Sequence, residues 1–280
     1  MTQGVLGELW QGPVDGSVAV VSLPIERASR AVAVWGCPPV DPTLNMTPLR
    51  KAAFRLFAEK FGDDEWDRYR WIFESELEAG QGMASSTADI VSLLRCLARI
   101  KGVCLTHSDI MEILAKIERS DPVFCEHITL YKTSAHEIVE EFPHPVEMWS
   151  CFAFSGGSVA TGALGKEQLE EFYHRNSQRY ADSLGEMTEG LRNGDIRKVF
   201  SAATDSAVLA QDYLPNEFLT KLHEDRAFLG AGAVSRAHTG SVVSLLFDHP
   251  LGIEERQFLS EYFFKHRHTA QFAKVGNHAC

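Results

Sequence analysis

Gly80-Gln81-Gly82-Met83-Ala84-Ser85-Ser86-Thr87 is the stretch on which the reading of this chain turns. An alternating segment, 71–77, precedes it and predicts a strand. From about 85 to 100, Ile90, Leu94, Leu97 and Ala98 recur on one stripe, which predicts a helix stopped by Gly102. Strand, glycine-rich loop and helix make an anion site on physical grounds. Glycines let backbone approach a phosphate, the first helical turn presents unpaired N–H groups, and the helix dipole adds positive potential. Ser85, Ser86 and Thr87 add hydroxyls suited to phosphate oxygens or magnesium. The loop lacks the Gly-Lys-Ser/Thr ending of a Walker loop and fails the dinucleotide G-x-G-x-x-G spacing. A second reading stands beside the anion site: Ser86 with Asp89 matches a capping box, and Gly80 and Gly82 suit a tight turn.

Outward from the loop, short β-branched or aromatic runs at 5–11, 17–23 and 28–35 predict three strands. Pro38 to Pro48 holds four prolines and reads as a loop, and Pro48 opens a helix to about Phe61. Thr106 or Ser108 caps a further helix to about Glu118, followed by a turn at Ser120-Asp121-Pro122. Character shifts between 143 and 158, where Pro143 and Pro145 precede an apolar run ended by Ser155-Gly156-Gly157-Ser158. A domain boundary is placed there, giving 1–145 and 146–280. The second part predicts helices at 166–192, 195–212, 216–226 and 253–265, with strand character at 228–234, 241–247 and 269–274. Strands and helices mix in both parts, so the fold class is α+β.

Bulk properties narrow the function. The chain has 280 residues, room for one large or two ordinary domains, and its 45% hydrophobic and 23% charged content is that of a globular protein. A net charge of -11 argues against a general nucleic-acid binder while leaving nucleotide binding open. The six cysteines include no C-x-x-C pair, so reduced thiols are expected rather than a disulfide framework or a zinc site. No signal peptide is visible, and no run approaches the ~18 apolar residues of a membrane span. A cytoplasmic protein, monomer or homodimer, is the expectation.

Gly80 to Ala88 resembles the second motif of the GHMP kinases, Pro-x-Gly-x-Gly-Leu-Gly-Ser-Ser-Ala-Ala. The form Gly-Met-Ala-Ser-Ser-Thr-Ala-Asp-Ile, Gly82 to Ile90, is most similar to the branch of L-threonine kinases of cobalamin synthesis. Glu78 stands where the family usually has Pro, and Ala84 replaces the third glycine, as in that branch. Near the start, Gly7, Glu8, Gln11 and Gly12 match the branch's first motif, Cys-Gly-Glu-x-x-Gln-Gly. Ala237-His238-Thr239-Gly240-Ser241 resembles the third, a glycine-rich turn beside phosphates and substrate. Ile117-Glu118-Arg119-Ser120-Asp121-Pro122-Val123-Phe124 resembles the branch's Ile-Glu-x-x-Asp-Ser-x-x-Phe.

The resemblance implies a fold and a chemistry. The fold is a two-domain GHMP kinase, with an N-terminal domain like the second domain of ribosomal protein S5 and a ferredoxin-like C-terminal domain. ATP with Mg2+ would lie across Gly80, Gln81, Gly82, Met83, Ala84, Ser85, Ser86 and Thr87. Ser86 and Glu118 would hold the metal, and Asp121 would accept the hydroxyl proton. Glu8, Gln11, His238, Thr239 and Gly240 would meet a small hydroxy amino acid, with Glu8 suited to its ammonium. Residue by residue, plainer readings are a β-turn around Glu8, a loop histidine at 238, and an Asp-Pro turn beside a surface Glu118–Arg119 pair. The implied reaction is phosphorylation of the L-threonine hydroxyl. Serine, homoserine or ethanolamine are alternative acceptors, and a non-catalytic ligand sensor is the alternative of another class.

Other features read as structure. Trp66, Trp71 and Trp149 are expected in the core, as is Tyr262-Phe263-Phe264, and the acidic runs 137–141 and 167–171 as solvated faces. His266, His268, His278 and Cys280 are too irregularly spaced for a metal site. Arg27 and Arg30 are candidates to meet a nucleotide or a carboxylate.

Overall fold

Asp15 and Gly16, both with left-handed φ (46° and 75°), close a two-residue turn between β1 (Thr2–Val14) and β2 (Ser17–Trp35). Such turns match the twist of paired strands, and Val14 pairs with Ser17 directly across this one. The computed structural model describes residues 1–36, 41–62, 66–144, 146–156 and 165–276. Two strands predicted at 17–23 and 28–35 are one 19-residue strand. Pro24 breaks the sequence pattern but not the strand, because register shifts between Gln3 and Trp10 on β1 absorb the irregularity.

On one side β2 pairs with β3 (Tyr69–Ser75) and β4 (Ile128–Lys132), and β4 pairs with β5 (Glu137–Phe142). Three helices pack against these strands: α1 (Pro48–Phe61), α2 (Ser85–Lys101) and α3 (His107–Ala115). Phe54, Phe57, Trp66, Trp71, Leu94 and Leu97 fill the layer between. Thr47 caps α1, and Thr106 with Asp109 forms a capping box on α3, which ends at Ala115 rather than near Glu118. The run 137–141, expected as a solvated face, is the edge strand β5. Its Phe142 is buried and Ile138 packs against the core, Glu140 and Glu141 are half-buried, and Glu137 and Val139 are exposed.

The second half runs β6 (Glu147–Phe154), α4 (Lys166–Arg175), α5 (Ser177–Asn193), α6 (Ile196–Leu209), α7 (Glu217–Asp225), β7 (Ala233–Arg236), β8 (Val242–Phe247), α8 (Ile253–Lys265) and β9 (Gln271–Gly276). The strand order β7-β8-β6-β9, all antiparallel, is the ferredoxin-like arrangement. The helix expected over 166–192 is two helices broken at Asn176, whose amide nitrogen donates to the Phe172 carbonyl at 3.0 Å. Of Tyr262-Phe263-Phe264 only Phe263 is fully buried and Phe264 is 81% exposed, since consecutive residues on a helix point about 100° apart. Trp66 and Trp71 are buried as expected, and Trp149 is partly buried.

The halves share one sheet. Glu8 pairs with Arg236 to join β1 to β7, and Ile25 pairs with Val275 to join β2 to β9. With the β1–β2 hairpin these seams close six strands into a ring. Leu6, Leu9, Trp10, Met187, Val199 and Phe200 pack beneath it, against α5 and α6. Pro145 at the expected boundary, together with Gly157, Ser158, Cys37, His278 and Cys280, lies outside the described residues.

Candidate active site

The loop 80–87 is shaped by its carbonyls. Gly82 and Met83 oxygens accept from the Gly7 and Val5 amides of β1 (both 3.1 Å), and the Gln81 oxygen accepts from Ser241 (3.0 Å) and Val242 (3.2 Å) at the start of β8. Gly82 has φ 90°, and a Cβ there would sit 2.2 Å from the Ala237 Cβ. A Cβ on Gly240 would lie 2.2 Å from the Gln81 carbonyl carbon, so the loop and the turn 237–241 meet backbone to backbone. Ala84 is left-handed as well (φ 51°), which accounts physically for the glycine usual at that position.

No side chain caps α2. Its N-cap position is Ala84, and the expected Ser86–Asp89 capping box does not form. Asp89 instead accepts from Ser29 Oγ and pairs with Arg50 at 2.8 Å, so its charge is met away from the helix start. The start of α2 therefore has no capping side chain, an arrangement that suits an anion site.

Ser86 Oγ donates to Glu118 at 3.0 Å, and Thr87 Oγ1 donates to it at 2.8 Å. The Glu118 carboxylate thus stands at the mouth of α2, and the plain Glu118–Arg119 surface pair is not formed among its contacts. Asp121 lies along the same wall, accepting one long bond (3.3 Å) from Ser22 Oγ. Its acidity is weakened: burial pushes the carboxyl up to about 7, the nearby charge of Glu8 adds to this, and Arg119 and Ser22 oppose it. Asp121 is half-buried and lines the cleft.

These groups line a cleft of about 420 Å³, together with Glu8, Gln11, Gly80, Gly82, Met83, Ala84, Ser85 and Thr239. Three predicted residues, Gln81, His238 and Gly240, stand behind the wall. The Gln81 side chain accepts from Ser241 Oγ and braces the loop against β8. His238 is buried, and both its backbone N–H (2.9 Å) and ring Nδ1 (3.0 Å) reach Glu8 Oε2. Burial holds that imidazole below its ordinary pKa, so as a neutral ring with Nδ1 protonated it donates to Glu8. His238 fixes the orientation of Glu8, while Gln11 is tied to Tyr173 at 3.3 Å. Gly240 contributes by packing under Gly82.

Arg119 escaped the sequence reading as a site residue. It is the single basic side chain among the described residues lining the cleft, against three carboxylates, Glu8, Glu118 and Asp121. Its position between two acidic motif residues was the available signal. Arg27 turns elsewhere, donating to Gln271 at 2.7 Å over the Phe152 ring.

Comparison with known proteins agrees with this geometry. The model of the GHMP kinases N terminal domain matches residues 48–127, which span α1, the loop, α2 and the Glu118–Asp121 segment. An L-threonine kinase of Salmonella typhimurium is 28% identical over 246 residues, 86% of this chain and 80% of the relative. Another, from Citrobacter freundii, is 27% identical over 268 residues, covering 86% and 83%. Among solved structures, a mevalonate kinase superposes with a TM-score of 0.70 at 10% identity, covering 99% of this chain and 98% of the other. The L. major mevalonate kinase in complex with R-mevalonate gives 0.67 at 13%, covering 100% and 95%. Three motifs scattered over more than 230 residues of sequence converge on one cleft inside this fold; residues 48–127 carry the GHMP kinases N terminal domain, and the similarities are those of a phosphotransferase.

Proposed function

We propose that the chain transfers the γ-phosphoryl group of ATP to the side-chain hydroxyl of L-threonine, yielding O-phospho-L-threonine for the linker of the cobalamin nucleotide loop, in the cytoplasm. The observation that carries the reading is the pairing on one wall of a hydroxyl-bound carboxylate, Glu118, with a carboxyl of raised pKa, Asp121. The similarity to two L-threonine kinases over 86% of the chain supports the choice of acceptor.

The uncapped start of α2 and the backbone of 80–87 would receive the phosphates, with Gln81 bracing the loop. Ser86 and Glu118 fit Mg2+, since a carboxylate and a hydroxyl already touching form an all-oxygen donor set. Magnesium bound there supplies neutralisation of phosphate charge. Arg119 adds the one basic side chain among the described residues of the wall and would meet the oxygens of the phosphoryl group in transit. Glu8, oriented by His238, would take the ammonium of the amino acid, and Gln11, Thr239 and the Gly240 turn would shape the acceptor end. Asp121 would accept the hydroxyl proton, a role suited to a carboxyl that titrates near neutrality. The proposal retains the division into 1–145, which supplies loop and carboxylates, and 146–280, which supplies the turn 237–241.

A screen of ADP release over L-threonine, L-serine, L-homoserine and ethanolamine tests it. Turnover greatest with L-threonine is expected. Turnover with another acceptor and none with L-threonine would sink the acceptor assignment. ATP that protects against thermal unfolding without ADP release from any acceptor would instead favour a sensor.

A further inference from the structure

His107 opens α3, Cys125 follows the turn that carries Asp121, and Glu141 sits on β5. In sequence these three are 18 and 16 residues apart, a spacing in which no zinc pattern is visible. In the fold the strand register brings them together, because Glu141 lies directly across from Thr129 on β4, close to the end of the Cys125 turn. One ligand atom from each residue lies within 4.8 Å of the others, and His107 Nδ1 is 3.9 Å from Glu141 Oε1. Around a tetrahedral zinc with bonds of about 2.0–2.3 Å, ligand atoms stand ~3.5 Å apart. Rotamer adjustments of about 1 Å would therefore suffice.

We propose that His107, Cys125 and Glu141 form a binding site for one zinc-class divalent cation, separate from the cleft. The donor set points to the ion. Thiol plus imidazole plus carboxylate selects a borderline-soft metal, whereas magnesium and calcium call for oxygen alone. Each residue is half-buried, so the site is braced behind and open in front, leaving a fourth position for water or another ligand. Burial pushes the Cys125 thiol up to about 12, so binding must displace its proton, and affinity rises with pH. The surroundings favour a rigid anchor. Phe124 is fully buried beside the site with the His107 ring against its edge, and the Val123 and Cys125 amides donate to Asp121 and Pro122 (2.9 and 3.0 Å). An ion at Cys125 would pin one end of the short turn whose other end is Asp121.

The test uses the full chain, reduced and stripped with a chelator, titrated with cobalt(II) in the absence of nucleotide. One equivalent should bind with a thiolate-to-cobalt charge-transfer band, and zinc should displace it. Cys125→Ser should abolish the band. His107→Ala and Glu141→Gln, which keep the thiol, should weaken cobalt binding by at least ~10–100-fold, the loss that removal of a mere outer-shell partner already causes. No band in the parent chain, or a band of equal strength in Cys125→Ser, would overturn the proposal, the latter by assigning the metal to another cysteine. Unchanged affinity in both His107→Ala and Glu141→Gln would overturn it too. No arm of this experiment depends on kinase activity, so the result stands apart from the acceptor assignment.

Discussion

Glu118 and Asp121 are three residues apart on the same wall, yet their surroundings are opposites. Glu118 receives two hydroxyl bonds at the mouth of a helix. Asp121 receives one long bond, is crowded by protein, and faces the charge of Glu8. Paired titratable groups whose environments diverge are how a site divides binding from proton transfer. Here the contrast comes from what lies opposite each residue: the first turn of α2 for one, Ser22 of β2 for the other.

The contrast breaks first at Asp121. Asp121→Asn removes the proposed proton acceptor but keeps the shape, and kcat for the preferred acceptor should fall ~10²–10⁴-fold with ATP affinity little changed. Steady-state kinetics and nucleotide titration check this, and full activity in the variant would remove Asp121 from the role. Glu118→Gln should give a smaller loss of roughly 100-fold in kcat/KM, together with a raised magnesium requirement. Activity assayed across a magnesium series reads it, and an unaltered magnesium dependence would separate Glu118 from the metal.

The smallest effect concerns stability and has the opposite sign. Folding lifts the Asp121 pKa from the ordinary 3.8 to about 7. Between those values the native state keeps a proton that the unfolded chain has lost, so stability falls as pH rises through that window and levels off above it. Asp121→Asn, which has no such proton to lose, should melt a few degrees above the parent at pH 8, roughly 1–2 kcal/mol, with the gain vanishing near pH 4. Thermal melts at the two pH values measure the difference. A parent more stable than the variant at pH 8 would mean that the carboxylate is well solvated.

What the sequence showed, and what it hid, follows from the range of the interactions involved. The loop 80–87 and α2 were legible because glycines, hydroxyls and a 3.6-residue stripe act locally. The two readings of Ser86-Asp89 could not be separated locally, because the partners that draw Asp89 away, Ser29 and Arg50, lie 60 and 39 residues back. Strands β4 and β5 were missed: Glu137 to Glu141 shows more charge than alternation, and only pairing with β4 gives it a direction. At the site, motif order brought Glu8, Glu118 and Asp121 together. That His238 serves Glu8 rather than the cleft rests on a contact across 230 residues. Arg119 looked like ordinary surface charge until the cleft wall was drawn.

The ring of six strands has a mechanical consequence. Each half is joined to the other by a single rung at each seam, Glu8 with Arg236 and Ile25 with Val275. Two staples on opposite edges, with the Gln81 carbonyl bonded to Ser241 and Val242 as well, oppose a hinge, since swinging the halves apart would break these bonds together. Any slip between the halves would instead have to shear α5 and α6 under the sheet. The rung residue Glu8 is also the carboxylate assigned to the acceptor's ammonium, so any such slip would be felt first where the amino acid sits. An acceptor held at Glu8, as proposed, would thereby bear on the joint between the halves, which the phosphate loop also spans, tied to β1 by the Val5 and Gly7 amides and to β8 by the Gln81 carbonyl.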